Sequence, residues 1–223
     1  MKIIQPREGE TFDIELEESL LSKNRELADN NRKILDENEI IAIDVMGSIG
    51  SGKTSLIKNL IKGLKAGHRI GVIAGDLTTE IDAERLREGS TQVLQVNTGK
   101  ECHLDANLIK RALENIKLKE IDILFIENVG NLICPAEFPL GAHKRLVVIS
   151  VTEGPYMVVK HPFIFREADI VVINKIDLQV QMGVSAAKLK EDVLKINKKA
   201  KVVLTNCVTG EGVKEIIKCM NFQ

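Results

Sequence analysis

An apolar run, IIAIDVM at 40–46, leads directly into Gly47-Ser48-Ile49-Gly50-Ser51-Gly52-Lys53-Thr54, a complete G-x-x-x-x-G-K-T. Nothing else in the 223 residues limits the possible folds so narrowly. The glycines let the backbone curl until its N–H groups converge on an anion, and the positive end of the following helix faces the same point. The stretch SLIKNLIKGLKAG at 55–67 has the amphipathic period of that helix. Lys53 is placed to pair with β- and γ-phosphates and the Thr54 hydroxyl to hold Mg²⁺. Gly47, Ser48, Gly50, Ser51, Gly52 and Ser55 complete the expected phosphate-binding set.

Six further β-rich runs follow: RIGVIAG (69–75), VLQVN (93–97), IDILFIE (121–127), KRLVVISV (144–151), DIVVINK (169–175) and KVVLT (201–205). Their near-continuous Ile, Val and Leu content requires burial on both faces, as in a parallel sheet. Helical stretches lie between most of them. The expected fold is therefore α/β: a P-loop NTPase with a doubly wound, mostly parallel sheet flanked by helices, preceded by an N-terminal helix. Residues 1–38 form the expected arm and amphipathic helix, with apolar positions at Leu16, Leu20, Leu27, Ile34 and Leu35, and residues 39–223 the P-loop domain. That helix either covers the domain's own core or docks on a partner.

Ligands of open α/β sheets gather beyond the carboxyl ends of the strands, so the residues closing each run matter most. Asp76 follows RIGVIAG and is expected to hold Mg²⁺ through water or to orient the attacking water. Glu127 closes IDILFIE as the second metal carboxylate. Gly130 in E-N-V-G is set to offer a backbone N–H to the γ-phosphate, a hydrogen bond that ends with hydrolysis. Lys53, Asp76, Glu127 and Gly130 form the expected catalytic set.

Asn174-Lys175-Ile176-Asp177 closes the strand DIVVI. A carboxylate there accepts from both N1–H and the exocyclic amine of guanine, whereas adenine would leave it buried and unpaired. The Lys175 stem can lie along the base, and Asn174 can brace neighbouring loops. The expected nucleotide is therefore GTP or GDP. Thr205–Gly212 resembles a final base-contacting loop, although Asn206 stands at a position usually taken by a small residue. Asn131 occupies the place where small signalling GTPases carry a Gln, which predicts slow intrinsic hydrolysis.

A net charge of −1 gives no global attraction to nucleic acid or an anionic membrane, and no apolar run approaches the length of a membrane span. The N-terminal MKIIQPREGETFDIE lacks the apolar region of a signal peptide. Four cysteines without a dense framework fit a reducing cytoplasm, where thiols act as ligands, nucleophiles or core residues. Cys207 and Cys219 read as structural, and His68, His143 and His161 as structural or surface residues. Cys102-His103, just before the helical stretch LDANLIKRALENI, is different, because thiolate and imidazole together suit borderline divalent ions such as Zn²⁺ and Ni²⁺. Cys134, a few residues beyond Gly130, is a third candidate. Three residues leave a tetrahedral site one ligand short, so it either stays open or is completed across a symmetric dimer. A redox thiol pair and a buried structural Cys are the competing readings.

Taken together, GSIGSGKT, ENVGNL, NKID and above all ECHLDA resemble the hydrogenase nickel-incorporation GTPase family (HypB), over nearly all of residues 38–218. The resemblance implies a P-loop GTPase of the group that dimerises with nucleotide, akin to urease accessory and signal-recognition GTPases. It implies GTP hydrolysis coupled to nickel delivery into the large subunit of a nickel–iron hydrogenase, with a GTP-dependent homodimer, a nickel chaperone and the large-subunit precursor as partners. Carried over residue by residue, the Ni²⁺ or Zn²⁺ ligands are Cys102, His103 and Cys134. The phosphate and Mg²⁺ residues are Lys53, Thr54, Asp76 and Glu127, and the base is read by Asn174, Lys175 and Asp177. Lys160, in the loop after KRLVVISV, would reach the nucleotide across the dimer.

One departure stands out. Many bacterial members carry an N-terminal cysteine motif or histidine-rich tract, whereas the first 101 residues here contain no Cys and His68 as their one His. That leaves the GTPase-domain cluster as the expected metal site. The alternatives are a nickel or zinc carrier or storage protein with incidental GTPase activity, a small-molecule kinase, and a urease-type accessory GTPase. The directly adjacent Cys-His argues against the last, whose family carries Cys-Pro-His at the corresponding point.

Overall fold

The computed structural model describes residues 14–76, 86–99 and 101–221, with the backbone alone for 14–17 and Asp76. Each of the seven expected runs forms a strand whose bounds fall within two residues of those expected: β1 Ile41–Gly47, β2 Ile70–Asp76, β3 Gln92–Asn97, β4 Ile123–Glu127, β5 Lys144–Ser150, β6 Ile170–Asn174 and β7 Lys201–Leu204. They make one sheet in the order β3-β2-β4-β1-β5-β6-β7, with all pairs parallel. The chain runs outward from β1 in both directions, so a crevice opens above the carboxyl end of β1, between β4 and β5. The phosphate loop begins there.

The longer helices are α1 Ile14–Glu37, α2 Lys53–Leu64, α3 Ala106–Leu113, α4 Ala186–Ile196 and α5 Val213–Met220. On one sheet face Ile43, Val45, Phe125, Val148 and Val172 pack against Leu56, Ile57 and Leu60 of α2 and Ile216 of α5. The other face divides in two. Val147, Val171 and Ile173 meet Leu189 and Val193 of α4, while Ile73, Leu124 and Ile126 meet Ile109 and Leu113 of α3 and Leu35 of α1. Asp105 caps α3 by accepting from the Leu108 N–H at 2.7 Å, which fixes where the ECHLDA loop ends and the helix begins.

The N-terminal helix forms, but of the described positions in the expected stripe only Leu35 is fully buried. Leu20 is exposed and Leu27 and Ile34 are half-buried. The buried positions are Asn24, Ala28, Asn31 and Leu35. Asn31 donates to the Ala106 and Leu140 carbonyls at 2.8 and 3.1 Å. Asn24 donates to the Pro139 carbonyl at 2.9 Å and accepts from the Ala106 N–H at 2.8 Å. The helix covers ends of backbone that the sheet cannot satisfy, so two side-chain amides take positions that a hydrophobic-period reading assigns to leucines. The side chain of Leu16 and the expected free arm lie outside the described residues.

Candidate nucleotide and metal site

The phosphate loop and the end of β4 enclose a cleft of about 660 Å³ lined by Gly50, Gly52, Lys53, Thr54, Ser55, Glu127, Gly130 and Lys175. Lys53 Nζ lies 3.2 and 3.1 Å from the Gly47 and Ser48 carbonyls, folded back over its own loop. Thr54 Oγ1 donates to Glu127 Oε1 at 2.7 Å, and both residues are almost fully buried. The sequence separates them by 73 positions; β1–β4 pairing, with Val45 opposite Glu127, brings them together. Asp76 closes β2 opposite Asn97, with its side chain outside the described part. Gly130 touches the phosphate loop closely enough that a Cβ would lie 2.4 Å from the Ile49 side chain and 3.0 Å from its backbone.

The residues expected to read the base converge beside that cleft. Gly52, Ser55, Asn174, Lys175, Asp177, Asn206 and Cys207 line an adjoining cavity of about 170 Å³. Asn174 is the brace: it donates to the Ser51 carbonyl at 2.9 Å and accepts from Thr205 Oγ1 and the Cys207 N–H. Gly52 must be glycine for this contact, since its φ is +104° and a Cβ would meet Asn174 Nδ2 at 2.3 Å. Lys175 Nζ donates to the Gly50 carbonyl at 2.7 Å. Asn206 turns inward and accepts from the Val208 N–H at 2.9 Å, which gives the unexpected residue a local loop-shaping task.

Cys102, His103 and Cys134 come together, with ligand atoms all within 4.8 Å of one another. The two sulfurs are 3.1 Å apart, and Cys102 also lines the phosphate cleft. The hydrogen bond with Cys102, followed by burial, raises the Cys134 thiol's pKa. Burial lowers the His103 pKa, against the opposing pull of Glu101, Asp105 and Glu137, and its ring centroid lies 4.1 Å from that of Phe138. Cys207 sits in the base loop and Cys219 packs on the core, away from this cluster. His143 is structural: it accepts from the Ala42 N–H at 3.0 Å and meets Asp36 at 2.7 Å.

Lys160 ends a helical turn and lines a different cavity, of about 350 Å³, with Leu132, Glu153, Tyr156 and His161. It does not line the phosphate cleft of its own chain. Two carboxylates adjoining the site escape sequence reasoning. Glu153 accepts from the Ser150 N–H at 2.7 Å; burial raises its pKa, and the Ser48 hydroxyl and the Lys175 and Lys53 charges oppose that rise. The S-x-x-E pattern closing β5 is the signal that could have found it. Asp44, mid-strand in β1, is fully buried and accepts from Asn128 at 3.2 Å; its pKa is pushed up to about 6 by burial, against Arg145 and Asn128.

A parallel sheet with this loop at the head of its central strand defines a P-loop nucleotide-binding protein, here with soft ligands beside the phosphate cleft. The family pattern described as CobW/HypB/UreG, nucleotide-binding domain, matches residues 41–204. A probable hydrogenase maturation factor HypB of Methanocaldococcus jannaschii is 51% identical over 205 residues, covering 92% of this chain and 93% of that one. The crystal structure of HypB from Archaeoglobus fulgidus superposes with a TM-score of 0.83 at 45% identity, covering 88% of this chain and 96% of that one. HypB from Helicobacter pylori, crystallised in complex with nickel, does so with a TM-score of 0.83 at 34% identity, covering 88% and 92%. The chain belongs to the CobW/HypB/UreG family, among its HypB hydrogenase maturation factors. Among the described residues, no helix is long and apolar enough to cross a membrane.

Proposed function

We propose that this chain hydrolyses GTP and uses its nucleotide state to time the binding and release of nickel during maturation of a nickel–iron hydrogenase. One observation carries the reading. Cys134 lies 3.1 Å from Cys102, on the same loop as Gly130, which packs against Ile49 of the phosphate loop. A loop that responds to the γ-phosphate therefore holds a metal ligand.

In this reading the phosphate-loop N–H groups and Lys53 bind and orient the triphosphate, while Asp177 selects guanine. Thr54 and Glu127 offer only oxygen donors, a set that suits a hard cation, and Asp76 adds a second carboxylate at the neighbouring strand end. Bound Mg²⁺ supplies neutralisation of charge on the β- and γ-phosphate oxygens. With Asn131 where a water-orienting Gln would stand, hydrolysis is slow.

Cys102, His103 and Cys134 take nickel, or zinc in competition with it, as cargo, and the fourth position is shared with a second copy. Ile49, Ile133, Tyr156, Val159 and Phe163 are exposed apolar residues on the phosphate-loop, switch and Lys160 segments, the kind of surface a second copy would cover. Lys160 then reaches the partner's nucleotide. GTP favours the closed dimer and tight metal site; hydrolysis loosens both and passes nickel to a chaperone or the hydrogenase precursor.

The test is the solution size with GDP and with a non-hydrolysable GTP analogue, each with and without nickel. A dimer favoured by the analogue and further favoured by metal is expected. One size under all four conditions contradicts the reading and leaves a metal carrier with incidental GTPase activity.

A further inference from the structure

Deepening that reading, a set of hydrogen bonds joins the phosphate loop to the Cys102 loop. Segment 127–134 holds Glu127, Gly130 and Cys134, and between them stand two asparagines whose side chains both turn to the Cys102–Leu104 loop. Asn128 is buried; its Oδ1 accepts from the Leu104 N–H at 3.1 Å and the Val129 N–H at 3.0 Å, while its amide donates to Asp44 in the central strand. That end of the metal loop is thereby fixed to the sheet.

Asn131 is half-exposed and makes a different set of contacts. Its backbone N–H donates to the Gly47 carbonyl at 3.1 Å, an isolated bridge between the switch and the phosphate loop. Its side-chain amide donates to the Cys102 carbonyl at 3.3 Å. Its Oδ1 accepts from the Ile133 N–H at 2.8 Å, shaping the turn that presents Cys134. One residue thus touches the phosphate loop and both metal-bearing segments. Gly130, immediately before it, leaves no room for a Cβ against Ile49, so the phosphate loop and the backbone leading into Asn131 lie close together.

We propose that Asn131 is the positioning residue that transmits the nucleotide state to the metal ligands. Asn128 holds Leu104 still; Asn131 pulls or releases the Cys102 carbonyl and Cys134 together. The Cys102–His103–Cys134 geometry then changes by rotation about a fixed end rather than by dissolution of the loop. The residue that stands where other GTPases orient water is here committed to the metal loop instead.

The experiment is a titration of the full-length protein with Co²⁺, followed through its thiolate charge-transfer absorption, with GDP and with a non-hydrolysable GTP analogue. Wild type, Asn131→Ala and Asn131→Asp are compared. Asp keeps the acceptor for the Ile133 N–H but has no amide hydrogen for Cys102, so it separates the wire from the shape of the turn. The ratio of Co²⁺ affinities between the two nucleotide states is the readout, and coupling of this kind typically amounts to roughly 5- to 150-fold. In both variants the ratio should fall to near one, and the absorption band should no longer change with nucleotide, while Co²⁺ still binds. A wild-type ratio well above one that survives in either variant overturns the role of Asn131 alone. A wild-type ratio of one removes the coupling itself, and with it the proposed function.

Discussion

The nucleotide half and the metal half of this site are built by different means. Around the phosphate cleft the parts come from one continuous stretch and from strand ends set by parallel pairing. Lys53, Thr54 and Glu127 are all nearly buried, and main-chain geometry does most of the positioning. The metal cluster is assembled from two loops 32 residues apart, with Cys102 exposed. What holds those loops is a set of side-chain amides: Asn24 and Asn31 from α1, Asn128 above Asp44, and Asn131 on the switch. Main-chain scaffolding makes the first half rigid, whereas single hydrogen bonds of about 1 kcal/mol each leave the second free to respond. A switch needs that division.

Damage should therefore be local in kind. The largest effect is expected for Lys53→Ala, which removes the charge that the proposed function sets against the phosphates. Hydrolysis measured by phosphate release should drop about 100- to 1,000-fold, as for loss of one preorganised transition-state donor. Co²⁺ binding in the absence of nucleotide should persist. Equal loss of metal binding would mean that the halves are one rigid unit.

Cys134→Ala sharpens the other side. If Cys134 is a ligand as proposed, metal affinity, read from thiolate charge transfer, should fall by more than about 100-fold, since removing a direct ligand exceeds the usual cost of changing its hydrogen-bond partner. Fluorescent GDP affinity should be unchanged.

How much of this is legible in the sequence follows the same division. The phosphate loop, NKID and all seven strands are readable because each is a continuous pattern with a fixed period or spacing. The Cys102–His103 pair is readable by its chemistry, and Cys134 by its thiol just beyond Gly130. The supports are not. Asn24 and Asn31 sit where helical periodicity asks for apolar residues, and their partners, the Ala106, Pro139 and Leu140 backbones, are 75 to 115 positions away. Asp44 stands inside an apolar strand run with nothing local to mark its partner Asn128, 84 residues on. Asn131 is marked in the sequence only by the Gln it replaces.

Two smaller effects probe those supports. Burial lifts the Asp44 pKa from 3.8 to about 6. The folded state therefore binds more protons than the unfolded state between those values, and stability falls as pH rises through that window. Asp44→Asn keeps an acceptor for Asn128 and removes the buried charge. It should raise unfolding stability by up to about 3 kcal/mol above pH 6, and by nothing below pH 4, in urea melts across pH. No pH dependence of the difference would show that the carboxyl carries no burial penalty. Asn31→Ala strands the Ala106 and Leu140 carbonyls beneath α1 and should cost about 1–3 kcal/mol in the same melts. GDP affinity should remain intact; a weakened nucleotide site would show that α1 supports both halves.

In the proposed function one loop is read by two ligands. Its most direct measurement is the metal affinity of the wild-type protein with GDP and with a GTP analogue, at fixed pH and protein concentration. Tighter binding is expected in the analogue state and, by linkage, the same factor in analogue affinity with and without metal. Equal metal affinity in the two nucleotide states would contradict it.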